Sequence, residues 1–228
     1  MFIENHGLFV SAEGAEEALT LTLEVVERAR AAWETRRKTE GRRKAPVYSA
    51  KARTKLEAEI KRELEKVYRE ILGGGAVVRM SAGKKVTEFF EHPRCEELVG
   101  EGPLTPDAIA YCRGTPVWVN PGGRELARPP WGGQAGELAA QAVRAREAGG
   151  RTPVCVLADG LALFSAGKSA RAAANAEETL EAVLEMLMVA SSFGGVRGLS
   201  ARAALYVWES EVEAYRRELA AGEGRGQS

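Results

Sequence analysis

The 228-residue sequence is poor in the side chains that most often build metal and redox sites. It has two histidines, His6 and His92, and three cysteines, Cys95, Cys112 and Cys155. The cysteines are widely spaced and include no C-x-x-C pair, which favours reduced thiols in the cytosol over a disulfide framework. No apolar run approaches the roughly 18 residues that a membrane-spanning helix needs, and the N-terminus does not resemble a signal peptide. These absences predict a cytoplasmic protein that has no contact with a membrane.

An excess of one charge is also lacking. Lys and Arg number 32, Asp and Glu number 32, and the formal net charge is zero. Balanced charge argues against a protein whose partner is nucleic acid or an anionic membrane. A basic cluster does occur within residues 36–55, but Tyr48 is the one aromatic residue within 38–55, and acidic residues resume at Glu57. Because charge runs are usually solvated, we interpret this cluster as a linker with no nucleic-acid partner.

The first eighteen residues have a counterpart late in the chain. Aligning His6 with Asp159 and Gly7 with Gly160, and allowing one inserted residue, brings Ala18 onto Ala172. Both copies have the pattern of a strand, a tight turn, a second strand and a helix start. An internal repeat of this kind indicates two related units, and the first of them is expected to be present here only by its end.

The hydrophobic pattern predicts an α/β fold in which helices cover a sheet. Three consecutive glycines at 73–75 are expected to end a long helix. We divide the chain into the end of a first unit at 1–38, a basic linker at 39–50, a second unit at 51–220 and a flexible tail at 221–228. The predicted strands are 2–4, 8–11, 76–80, 83–91, 117–119, 154–158 and 161–164; the predicted helices are 15–37, 51–72, a short one beginning at Thr105-Pro106, 137–148, 169–189 and 200–219.

Several blocks of the sequence resemble the class II aldolase/adducin family. Residues 4–10, with Asn5-His6-Gly7 at the turn, resemble the C-terminal end of its domain, where an Asn-His-Gly turn carries the last zinc-binding histidine. The blocks 102–107, 116–119, 153–156, 160–169 and 206–211 resemble, in order, the aldolase domain of rhamnulose-1-phosphate aldolase/alcohol dehydrogenase proteins. This resemblance implies a partial class II aldolase-like unit followed by a second, degenerate one. It also implies zinc as the cofactor, His6 as a metal ligand and a sugar phosphate as the substrate.

The departures from that family are equally informative. Zinc needs three or four protein ligands, and the family supplies two of them from a His-x-His pair that occurs nowhere in this chain. The family's acid/base carboxylate would also lie upstream of His6. We therefore assign no catalytic residue and expect the chain to be inactive alone. Its expected partner is either another copy of itself, in a homo-oligomer, or a complementary N-terminal chain. The alternative is a non-catalytic assembly module that keeps the aldolase fold, because a lone histidine is more often a hydrogen-bonded turn residue than a ligand.

One further motif suggests phosphate binding. Gly167-Lys168-Ser169 follows a predicted strand and opens a predicted helix, an arrangement in which backbone N–H groups can hold a phosphate. A nucleotide-binding loop would have glycine where Ala162 lies and a flexible spacer before the lysine. The strand-like spacer 163–166 instead follows the internal repeat, so nucleotide binding remains a minor alternative.

Overall fold

The computed structural model describes residues 1–3, 7–39, 41–121, 135–146 and 151–221, and its fold is α/β, as the sequence predicts. The strands are β1 (Phe2–Ile3), β2 (Gly7–Leu8), β3 (Val77–Ser81), β4 (Val117–Val119), β5 (Cys155–Ala158) and β6 (Ala162–Gly167). The helices are α1 (Ala15–Arg37), α2 (Ala50–Leu72), α3 (Lys84–Phe90), α4 (Cys95–Gly100), α5 (Pro106–Cys112), α6 (Ala135–Ala145), α7 (Ala170–Ser191), α8 (Ala201–Glu209) and α9 (Glu211–Ala221).

A mixed sheet of four strands, in the order β3-β6-β5-β4, forms the centre of the molecule. β6 pairs antiparallel with both β3 and β5, and β5 pairs parallel with β4. Every residue of β5 and β6 is buried. Strands that are buried on both faces need helices on both sides of the sheet.

Two helical layers provide that cover. α2 and α6 pack on each other and against the sheet, whereas α7 lies on β6 and β3 together with α3 and α5. On the α7 side, the Ser165 hydroxyl donates to the Ala173 carbonyl over 3.0 Å. On the α2 side, the buried Tyr68 hydroxyl donates to the Pro153 carbonyl over 2.7 Å. Both hydroxyls therefore satisfy buried carbonyl groups while they fix a helix on the sheet.

Local sequence signals explain where the main helices begin and end. The side chains of Ser49, Thr105 and Ser169 each accept a hydrogen bond from the third backbone N–H beyond them, and so cap α2, α5 and α7. Such caps satisfy backbone donors that have no partner inside the helix. Gly73 ends α2 with φ at +77°, a conformation that glycine adopts without strain.

Two predictions of secondary structure are wrong, and one short helix was missed. Residues 83–91 form helix α3 rather than a strand, because Val86, Phe89 and Phe90 are spaced to share one helical face, and all three are buried. The single helix predicted for 200–219 is two helices that meet at Ser210, whose backbone is extended. Helix α4 was not predicted, since its six residues are too few to show a period.

Helix α1 stands apart from this body. It buries none of its 23 residues, and its C-terminal turn makes the bonds to the rest of the molecule. Arg36 donates to the Ser192 carbonyl over 3.0 Å, and Arg37 lies 3.5 Å from the Glu88 carboxylate. Since most helical stability in proteins comes from a packed apolar face, α1 contrasts with the other long helices, which bury such a face.

Candidate functional site

Each copy of the internal repeat contains an antiparallel strand pair. β1 and β2 pair with Ile3 opposite Gly7, and β5 and β6 pair with Ala158 opposite Ala162. A long helix follows each strand pair, 23 residues in α1 and 22 in α7. Gly7 therefore corresponds to Ala162, and its alignment with Gly160 is wrong, because Gly7 lies in β2 whereas Gly160 lies in the turn before β6.

In the first hairpin, residues 4–6 lie outside the described residues. The prediction that His6 is a metal ligand, and with it the Asn5-His6-Gly7 turn, therefore stays a prediction. Among the residues that the structure does describe, no three His, Cys, Asp or Glu side chains come together in a way that could hold a metal ion.

Asp159, which the sequence alignment matches to His6, lies in the turn between β5 and β6, and its side chain is only 3% exposed. The guanidinium of Arg43 binds the Asp159 carboxylate directly through Nη2. The Nε of the same arginine donates to the Phe90 carbonyl over 2.8 Å. A buried carboxylate is stable only when it is paired and hydrogen-bonded, so Arg43 provides the positive charge that this turn requires.

Further contacts hold the backbone of the same turn. Arg53, on the first turn of α2, donates to the carbonyls of Gly160 over 2.9 Å and of Leu161 over 2.8 Å. The Tyr48 hydroxyl donates to the Asp159 carbonyl over 3.1 Å. Gly160 has φ at +67°, and a Cβ there would collide with the Pro46 carbonyl. The segment predicted as a solvated basic linker therefore packs on the hairpin turn, and its arginines lock that turn in place.

The pKa shifts of Asp159 and Cys95 indicate that both side chains have structural roles. Burial raises the pKa of Asp159, although Arg43 acts to lower it. Burial also raises the pKa of the neighbouring Cys95 thiol to about 11. A carboxylate held by a guanidinium and a protonated thiol are both poor metal ligands. Asp159 is thus held in an ion pair with Arg43 and has a structural role.

The three residues predicted to bind phosphate have structural roles at the start of α7. A Cβ on Gly167 would collide with the backbone of Ala172 and Ala173, so only glycine lets β6 end this close to the helix. Ser169 accepts a hydrogen bond from the Ala172 N–H over 3.1 Å as the helix cap. Lys168 is exposed between them. These contacts explain the glycine and the serine without a ligand, and phosphate binding by the motif stays a prediction.

His92 has a structural environment that the sequence pattern did not reveal. It is buried, its Nδ1 accepts the Arg94 N–H over 3.2 Å, and its Nε2 lies 3.0 Å from the Ser191 hydroxyl. Ser191 in turn donates to the Met188 carbonyl. Since Nδ1 accepts a bond, the neutral ring carries its proton on Nε2 and donates to Ser191. The histidine therefore joins the end of α3 to the end of α7.

A small cleft of about 60 Å³, open to solvent, lies where the C-terminal end of α1 meets the body. Its charged walls are already paired: Arg37 lies 3.5 Å from Glu88, and Arg42 lies 3.1 Å from Glu91. These ion pairs include one that connects α1 to the body of the molecule, between Arg37 and Glu88.

No described helix combines the length and the apolar character that crossing a membrane requires. No family model, curated protein or solved structure matches this chain. The chain's own residues and its internal repeat are therefore the basis for assigning a function.

Proposed function

We propose that this chain is the C-terminal portion of a zinc-dependent, class II-type aldolase that acts on a sugar phosphate such as rhamnulose 1-phosphate, and that it is inactive alone. The observation that carries the proposal is the contrast between two equivalent helices. α7 buries one face on the sheet, whereas α1 leaves the equivalent face uncovered.

The repeat allows a residue-by-residue comparison of these faces. The ends of the paired strands and the N-cap residues Gly14 and Ser169 match each residue of α1 to the residue 155 positions later. The residues that α7 buries against the sheet and neighbouring helices are Ala173, Ala176, Leu180, Val183, Leu184, Leu187 and Met188. Their counterparts in α1 are Ala18, Leu21, Val25, Arg28, Ala29, Ala32 and Trp33.

Six of these seven counterparts are apolar, but none of them is buried. Leu21 is 38% exposed, whereas its counterpart Ala176 is fully buried. An apolar face without cover marks a binding surface. A complementary segment, which precedes this chain in the same polypeptide or belongs to another chain, would provide the sheet that α1 lacks.

The metal-binding side chains also favour a site that this chain shares with a complementary segment. The described residues bring no three metal-binding side chains together, and the carboxylate of Asp159 is bound to Arg43. A complete zinc site cannot be built from these residues. In this proposal His6 contributes one ligand, and the complementary segment contributes the His-x-His pair and the acid/base carboxylate.

The coding sequence upstream of the Met1 codon, and the genes beside it, provide the first test. We expect an in-frame or neighbouring segment that encodes a His-x-His pair. Co-purification of that segment with the tagged chain should yield a complex that holds zinc, measured by inductively coupled plasma mass spectrometry. His6→Ala should lower the zinc content, and cleavage of rhamnulose 1-phosphate should require both parts.

Two results would overturn this proposal. One is zinc-dependent aldol cleavage by the chain alone. The other is a complex whose zinc content and activity are unchanged by His6→Ala.

A second candidate is a non-catalytic assembly module that keeps an aldolase-like fold. The observation that favours it is the Arg43–Asp159 pair, because it gives a structural role to the residue that the sequence alignment matches to His6. This candidate predicts no affinity for sugar phosphates. A rise in melting temperature with rhamnulose 1-phosphate would count against it, because a ligand that binds only the native state must stabilise that state.

A further inference from the structure

The exposed side of α1 carries a short heptad pattern. Glu16, Leu19, Leu23, Val26 and Arg30 follow one another at spacings of three, four, three and four residues. This spacing places all five on one stripe of the helix, as in the seam of a coiled coil. We call these five residues the α1 stripe.

The stripe is open to solvent along its length. Leu19 and Leu23 are 60% and 55% exposed, and Val26 is 42% exposed. Leu23 corresponds to Glu178 of α7 in the repeat, and Glu178 is exposed to solvent. A leucine at this position therefore has no counterpart in the contacts that fix α7 to its sheet.

The charges at the two ends of the stripe specify what can cover it. Glu16 lies seven residues before Leu23, and Arg30 lies seven residues after it. If a second copy of α1 packs antiparallel with Leu23 on the two-fold axis, Glu16 of each copy is level with Arg30 of the other. A parallel pair would instead bring each charge level with its own kind. Opposite charges that flank an apolar seam select partner and orientation in this way.

The rest of the helix is compatible with such a pair. Arg30 already approaches Glu27 at 3.2 Å on the same helix, so the partner's Glu16 would extend an existing charge cluster. The bonds from α1 to its own body are made by Arg36 and Arg37, beyond the end of the stripe. In an antiparallel pair the two bodies therefore lie at opposite ends and do not compete for the stripe.

We propose that two copies of this chain associate through the α1 stripe as an antiparallel, two-fold symmetric helix pair. A two-fold contact uses the same surface on both copies and closes on itself. Its small apolar area predicts a dissociation constant in the micromolar range, because weak complexes occupy the low end of interface sizes. The inference does not depend on the proposed function, because the α1 stripe shares no residue with the face of α1 that corresponds to the buried face of α7.

Sedimentation equilibrium of the full chain over a micromolar concentration series tests the proposal. We expect a monomer–dimer equilibrium whose dissociation constant rises at least about tenfold in Leu23→Glu, because two carboxylates would meet on the axis. Glu16→Arg and Arg30→Glu should each weaken the dimer, and the double variant Glu16→Arg/Arg30→Glu should restore it. Glu17→Arg makes the same charge change at the adjacent residue, which lies outside the α1 stripe, and should have no effect.

Orientation can be tested separately by cross-linking with oxidised glutathione, since the native cysteines are buried. Leu23→Cys should form a covalent dimer, whereas Leu19→Cys, which faces Val26 of the other copy, should not. A wild-type monomer throughout the series, a dimer insensitive to Leu23→Glu, or an unrescued double variant would overturn the proposal. Because α1 buries no residue, the melting temperature of the monomeric variants should stay unchanged.

The proposed function is tested separately. A zinc-holding complex with a complementary segment would support it even if no dimer forms.

Discussion

Removing the side chain of Arg43 is the perturbation that tests the structural reasoning most severely. Arg43 pairs with Asp159, whose side chain is 3% exposed, and also donates to the Phe90 carbonyl over 2.8 Å. Arg43→Met keeps much of the aliphatic stem but deletes both interactions. It leaves a buried carboxylate without its countercharge and a carbonyl without its donor.

The expected loss can be estimated from these contacts. Removing one partner of a buried ion pair costs about 3–5 kcal/mol, because the remaining charge is uncompensated. Asp159→Asn should cost less, about 1–2 kcal/mol, since a neutral amide still accepts a hydrogen bond and avoids the desolvation of a charge. The double variant Arg43→Met/Asp159→Asn should fall short of the sum of the single losses by at least about 1 kcal/mol, because the two groups are in direct contact.

Acid pH should reduce the penalty of Arg43→Met. Burial raises the folded-state pKa of Asp159 above its ordinary value of 3.8, and Arg43 opposes that rise. Without Arg43 the folded pKa rises further, so the folded state binds a proton more readily than the unfolded state. Stability of Arg43→Met therefore increases, relative to wild type, as the pH falls from the folded pKa towards the unfolded value. The double variant, which has no carboxylate at 159, should not show this gain.

Urea denaturation followed by circular dichroism measures these free energies. Arg42→Met is the matched control, because Arg42 is the neighbouring residue and its side chain is 67% exposed beside Glu91. A surface pair of this kind contributes less than about 1 kcal/mol. Equal losses for Arg42→Met and Arg43→Met would refute the role of the buried pair. So would a penalty for Arg43→Met that is independent of pH.

Other predictions concern the sheet and the start of α7. Gly167→Ala should destabilise the fold by about 2–4 kcal/mol, since its Cβ would collide with the helix backbone, and a denaturation midpoint equal to wild type would contradict that close approach. Ser169→Ala should cost about 1 kcal/mol in the same assay through loss of the α7 cap; a cost near zero would show that the cap is not needed. Tyr68→Phe should cost about 1–3 kcal/mol, because it leaves the buried Pro153 carbonyl without its donor, and a neutral result would indicate that another group replaces the hydroxyl. The Cys95 thiol, with its pKa near 11, should resist maleimide labelling at pH 8 in the folded protein and react only in urea; rapid labelling of the native chain would contradict its burial.

Much of the fold follows from local pattern. The period of apolar residues gave the first two long helices and α7 within about two residues, and Thr105-Pro106 marked the start of α5 correctly. Short elements were less predictable. Residues 84–90 read equally well as a strand or as a helix, because seven residues span too few turns to separate the two periods.

The candidate site divides in a similar way. The repeat identified the turn at Asp159-Gly160 from the sequence, and the structure describes a hairpin there. No pattern could reveal that Arg43, 116 residues earlier, binds Asp159, or that His92 bonds to Ser191. Such pairs depend on how the chain folds back on itself, and the spacing between their members is arbitrary.

By itself, then, the sequence determined the α/β class, the repeated strand–turn–strand–helix units and the amphipathic faces, since each of these depends on residues close together in the chain. Tertiary structure alone decided which of the two long repeat helices is covered. α7 lies on a sheet formed by strands from distant segments, whereas α1 buries no residue. It also decided that basic residues of the linker neutralise and hold the Asp159 turn. The physical reason is the same in both cases: burial and charge pairing are properties of the packed molecule, and they join residues that local sequence cannot connect.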